Sequence, residues 1–110
     1  MPLKIKINNF FKYPKININK EKVIPFLNGR NFVAEKIISN GFKSANNDWM
    51  SEDSDEWVML IKGKAKLEFE NGDILNLKSG DSFNIPANTK HKILYTSNKP
   101  FCCWLAIHFK

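Results

Sequence analysis

The chain has 110 residues, room for one domain and one core at the usual domain size of about 100–150 residues. Its net charge of +6 suggests an acidic partner until its distribution is read: residues 1–36 hold eight Lys or Arg against two acidic groups, and residues 37–70 hold four against seven. Arg30 is the single arginine, and no helix-turn-helix, zinc-finger or stacking pattern accompanies the lysines, so nucleic acid is excluded as an expected partner.

Leu3, Ile5 and Ile7 alternate with Lys4, Lys6 and Asn8, the period of a strand with one buried face. The same opening lacks the unbroken apolar stretch of a secretory leader. No apolar run anywhere reaches the roughly 18 residues of a membrane span. A soluble, cytoplasmic protein with no membrane partner is the expectation. Phe10, Phe11 and Tyr13 follow, and so many aromatics together imply burial in a core or a contact between copies. From Asn17 to Asn28 the pattern weakens. Glu21 to Ile24 fits one helical turn, and Pro25 denies a longer helix its hydrogen bond.

Gly29-Arg30-Asn31 reads as a turn, Phe32 to Ser39 as a strand, and Asn40-Gly41 as its closing turn. The polar stretch from Phe42 to Ser54 leads into the best strand of the chain. Strands are then expected at Glu56–Ile61, Lys64–Glu70, Asp73–Lys78, Ser82–Ile85, Lys90–Thr96 and Phe101–Phe109. Sharp turns separate them at Gly63, Asn71-Gly72, Gly80-Asp81, Pro86-Ala87-Asn88 and Asn98-Lys99-Pro100. Cys102 and Cys103 are adjacent and are the two cysteines of the chain. A disulfide at that spacing is strained, so two free thiols in a reducing compartment are expected. Eight to ten strands with almost no helix mean an all-β antiparallel barrel or sandwich.

Strand alternation groups the candidate site residues. Glu56, Val58 and Leu60 share one face; His91, Ile93 and Tyr95 share another; Trp104, Ala106 and His108 share a third. These strands could meet around one cavity, with the Phe42–Ser54 stretch at its mouth.

Two spacings carry a resemblance. Glu56, six residues and Gly63 match half of one motif; Gly80, Pro86 and His91 match a second, with Asn88 and Tyr95 standing where that motif has Gly and Asn. The chain resembles the cupin superfamily, small antiparallel jelly-roll β-barrels that often hold a divalent metal. From Trp49 onward it is similar to short bacterial single-domain cupins, through Asp55-Glu56-Trp57-Val58, Leu67-Glu68-Phe69-Glu70, Gly80-Asp81, Ile85-Pro86-Ala87, His91 and Trp104-Leu105-Ala106-Ile107-His108. That group is sometimes labelled phosphomannose-isomerase-like, a label of fold analogy that names no activity.

The resemblance implies one cupin domain over residues 1–110, with 1–30 an N-terminal strand or arm at a homodimer contact and 31–109 the barrel. It makes Glu56 and His91 metal ligands. The His-x-His pair of the first motif is absent, its places taken by Met50 and Glu52, or by Trp49 and Ser51 with a longer spacer. Since the chain has two histidines, a metal site requires His91, His108 and a carboxylate from Glu56 or Glu52, a set that suits Zn, Ni, Mn or Fe. Trp49, Met50, Tyr95 and Trp104 are the expected ligand contacts. The resulting expectation is a stand-alone cupin that binds a small polar molecule through a divalent metal. The alternative is a non-catalytic binding or regulatory module whose metal-free cavity is lined by Trp104, Tyr95 and aliphatic residues; a purely structural role would make Glu56 and His91 a hydrogen-bonded pair and put His108 at the surface. No reaction is legible.

Overall fold

A computed structural model describes residues 3–110. It contains eight strands: β1 (Lys20–Asn28), β2 (Phe32–Asn40), β3 (Asp55–Lys62), β4 (Lys64–Phe69), β5 (Ile74–Lys78), β6 (Ser82–Ile85), β7 (His91–Thr96) and β8 (Cys102–Phe109). They form two antiparallel sheets, of five strands in the order β1-β2-β8-β3-β6 and of three in the order β5-β4-β7. Among the described residues no helix is long and apolar enough to cross a membrane.

Alternation along the strands builds the core. Val58 and Leu60 of β3 and Trp104 and Ala106 of β8 meet Ala65 and Leu67 of β4, Leu77 of β5 and Ile93 of β7 across the space between the sheets. Gly63 alone joins β3 to β4, with a φ of +98° that side-chain-bearing residues rarely adopt. On β2 the alternation buries both faces. Val33, Glu35 and Ile37 look inward, while Ala34 and Ile38, also buried, lie on the outer face. Residues 10–13 cover that outer face: the Lys36 ammonium donates to the carbonyls of Phe10 at 3.0 Å and Lys12 at 2.7 Å. It also lies over the rings of Phe10 and Tyr13, at 5.4 and 5.5 Å.

Three sequence expectations are corrected here. Leu3, Ile5 and Ile7 form no strand within this chain, and their side chains are 84, 80 and 92 % exposed. Glu21 to Ile24 is no helical turn but the start of β1. Pro25 is tolerated there because β1 is an edge strand and its register with β2 shifts between Pro25 and Leu27, a place where a missing N–H costs no ladder bond. β1 therefore lies inside the segment expected to be an arm and is part of the larger sheet. Tyr95 does not share the inward face of His91 and Ile93. The pairing of β4 with β7 runs Lys66↔Tyr95, then Leu67↔Ile93, so Leu94 is an extra residue that reverses the parity and leaves Tyr95 48 % exposed.

Candidate functional site

A cavity of about 440 Å³ opens between the sheets, lined by residues of β1, β2, β3, β4, β6, β7 and β8 and by the Met50–Ser54 loop. Such a volume lies within the range of small-molecule sites, roughly 300–1,000 Å³. Glu56 reaches it from β3, His91 from the start of β7, and Trp104 and His108 from one face of β8. Met50 and Glu52 enter because the loop is clamped to β7: Met50 N–H donates to the His91 carbonyl at 2.7 Å and His91 N–H to the Met50 carbonyl at 3.0 Å. The same clamp turns Trp49 away from the cavity. Its ring lies 4.5 Å from the Lys92 ammonium, so Trp49, like Tyr95, is not among the lining residues.

His91 is 7 % exposed. Its Nδ1 lies 2.9 Å from the carbonyl of Thr89. A carbonyl only accepts, so Nδ1 carries a proton, and in the neutral ring Nε2 is then the acceptor. His108 is partnered differently: its Nε2 donates to Glu35 Oε1 at 2.8 Å and stands 3.8 Å from Glu56 Oε2. Deeper under β1, the Trp104 indole N–H donates to Ser39 Oγ at 3.2 Å, and the Ser39 hydroxyl donates to Glu21 Oε1 at 2.6 Å. Glu35 and Glu21, both cavity residues, were not singled out from sequence. Parity with Val33 and Ile37 would have found Glu35; Glu21 was hidden by the helical reading of its segment.

Burial holds the carboxyl of Glu56 above the ordinary carboxylate range, and Glu52 and Glu35 push the same way, while His108 and His91 pull it down. Glu21 is also raised by burial, with the Ser39 hydroxyl opposing. The sign for stability follows from linkage. A carboxyl raised on folding favours the native state while protonated, and that contribution is lost as pH rises through the folded-state value. Glu56→Gln is therefore expected to raise the unfolding midpoint at pH 7, with the gain disappearing as pH falls below the ordinary value of 4.5. Urea titrations of both proteins across this pH range check it. An equal loss of stability at both ends would contradict it.

The Cupin domain family (Cupin_2) matches residues 40–108. The chain belongs to the cupin family. A candidate mannose-6-phosphate isomerase from Ralstonia eutropha JMP134 is 31 % identical to this cupin, covers 96 % of it over 99 % of its own chain, and superposes with a TM-score of 0.88. A cupin superfamily protein from Desulfitobacterium hafniense DCB-2 shares 14 % identity, with 87 % and 83 % of the two chains covered and a TM-score of 0.72. An RmlC-like cupin with a double-stranded β-helix fold from Methanocaldococcus jannaschii shares 18 %, with 88 % and 86 % covered and a TM-score of 0.67. These last two establish likeness of fold. Among curated proteins none matches this cupin.

The family's metal chemistry is tested by the donor set. His91 Nε2 and Glu56 suit a metal in kind. His108 Nε2, however, is engaged by Glu35, and among the described residues no group of three or more His, Cys, Asp or Glu side chains converges as a metal ion requires. As arranged, the residues do not fit a resident metal.

Proposed function

We propose that this cupin binds a small polar molecule, without a metal, in the cavity between its sheets, read as the interior of a jelly-roll barrel. One observation carries the reading: Glu56, 9 % exposed, and His91, 7 % exposed, face the same cavity and leave polar atoms for a ligand. The Glu56 carboxylate takes no hydrogen bond from any described residue, its distance to His108 Nε2 of 3.8 Å being too long. His91 offers Nε2 as an acceptor, Glu52 stands at the mouth, and Met50 and Trp104 supply apolar wall. Native mass spectrometry of protein purified without a histidine tag is expected to show a small organic adduct that Glu56→Gln loses. An adduct that survives the substitution unchanged would refute the site.

A metal-assisted reading has one observation in its favour. The bond from His91 Nδ1 to the Thr89 carbonyl is the kind of support that orients a ligating imidazole. Zn, Ni, Mn or Fe held by His91, Glu56 and a displaced His108 would supply Lewis-acid chemistry. Elemental analysis of the same preparation separates the two. Stoichiometric metal that His91→Ala removes would replace the metal-free reading.

The partner proposed for the chain itself is a second copy, in a reducing cytoplasm that keeps the buried thiols of Cys102 and Cys103 free. Leu3, Ile5 and Ile7 alternate along an extended segment with nothing to cover them. Val23, Phe26 and Leu27 are exposed on the open edge strand β1, at 47, 51 and 56 %. Pairing of arm to edge would satisfy both. Light scattering at micromolar concentration is expected to give twice the chain mass, falling to the chain mass when residues 1–8 are deleted. A full-length monomer would contradict the pairing.

A further inference from the structure

We propose that the molecule held in the cavity is an organic cation, an ammonium-type head on a small apolar body, an inference that rests on the ligand-site reading above. In a chain with 17 Lys and Arg against 11 Asp and Glu, the lining inverts the balance. Glu21, Glu35, Glu52 and Glu56 face the cavity, and no Lys or Arg does. Two of these carboxylates already have partners in Ser39 and His108. Glu56 accepts no hydrogen bond although it is nine-tenths buried, with His108 Nε2 standing 3.8 Å away. No wholly buried polar atom is stranded among the described residues, so the Glu56 oxygens look onto the cavity space.

An unpaired carboxylate in that position recruits a positive charge and repels a negative one, and the low dielectric of the site amplifies both effects. A phosphate or carboxylate ligand would meet Glu56 and Glu52 with no Lys or Arg in the lining to balance it; of the two imidazoles there, His108 already donates to Glu35 and His91 donates to the Thr89 carbonyl. Much of the remaining wall is apolar: Val58, Leu67, Phe83, Ile85 and Ile93 offer no donor or acceptor side chain. This surface suits a hydrocarbon or aromatic body of a few carbons. A bare metal ion would use the same charges but needs three or more converging donors, which the described residues do not present. An ammonium needs no such convergence, since it donates in several directions to carboxylates spread around the wall.

The test uses three probes of one shape, benzylamine, benzyl alcohol and benzoate, titrated into the full chain with EDTA present. The NMR signals of the Trp104 indole N–H and the His91 ring are followed. Benzylamine is expected to shift both and to bind at least about tenfold more tightly than the alcohol, with benzoate weakest. Glu56→Gln should bring the amine down to the affinity of the alcohol and leave the alcohol unchanged. Glu52→Gln, exposed at the mouth and safe for folding, should weaken the amine by a smaller factor. Benzoate binding as well as benzylamine would overturn the inference. So would an alcohol equal to the amine, although that result would leave the cavity standing as a site. If none of the three moves either signal, the cavity reading falls with it.

Discussion

Replacing Trp104 with alanine is expected to lower the unfolding free energy by about 3 kcal/mol, the lower end of the roughly 3–5 kcal/mol seen for buried aromatic truncations. The ring is 4 % exposed and lies in the core cluster between the sheets. The reason for the lower end is local. Trp104 also lines the ligand cavity, so the vacated volume opens onto a space that water reaches, and the penalty of an empty hole is partly relieved. Trp104→Phe keeps most of the ring and loses the bond from the indole N–H to Ser39 at 3.2 Å. It should cost closer to about 1 kcal/mol, the usual net worth of one such bond. Urea unfolding monitored by circular dichroism measures both. A loss below that of the phenylalanine variant would show that the indole is not a core residue.

Gly63→Ala is expected to cost about 2–4 kcal/mol, from two sources that can be separated. The backbone there has a φ of +98°, where a residue with a Cβ is strained by about 1–3 kcal/mol. A Cβ would also come within 2.7 Å of Cys102 Sγ, 2.8 Å of Ser97 Oγ and 3.0 Å of Cys102 Cα. Those neighbours cannot retreat freely, because Ser97 Oγ accepts from Lys64 N–H at 3.0 Å and Cys102 Sγ donates to the Lys64 carbonyl at 3.1 Å. Adding Cys102→Ala to the Gly63 variant removes the closest atom. It should make the double change cost less than the sum of the single ones, leaving the φ term and the remaining contacts with Ser97 Oγ and Cys102 Cα. Simple additivity would show that the Cys102 thiol contributes nothing to the cost.

Most of the strand order was legible in the sequence because turn residues and alternation mark strands locally. The six strands expected from Glu56 onward all occur, with no end displaced by more than one residue. Glu56, His91 and His108 were expected to face one interior, and the structure brings them to one cavity, His91 from the smaller sheet and the other two from the larger. What escaped the sequence depended on events outside any one strand. The extra residue at Leu94 that turns Tyr95 outward arises from pairing with β4, and alternation within β7 carries no trace of it. Pro25 argued against regular structure at β1, yet an edge position with a register shift accepts it. Glu35 drew no notice as one charge in an apolar strand. Its meaning appears only when β2 lies beside β8 and Val33 is opposite His108. Trp49 could not be placed until the backbone of Met50 was seen bonded to that of His91.

Three strands cannot roof five. Beyond the smaller sheet, β1 lies at the far side of the larger one, and Val23, a lining residue, is 47 % exposed there. In the single chain guests can therefore arrive and depart sideways past Val23, along a doorway that a second copy paired to β1 would narrow. Selection by this protein falls to the charge and shape of its walls, and its exchange rates should follow guest affinity rather than the timing of any closure.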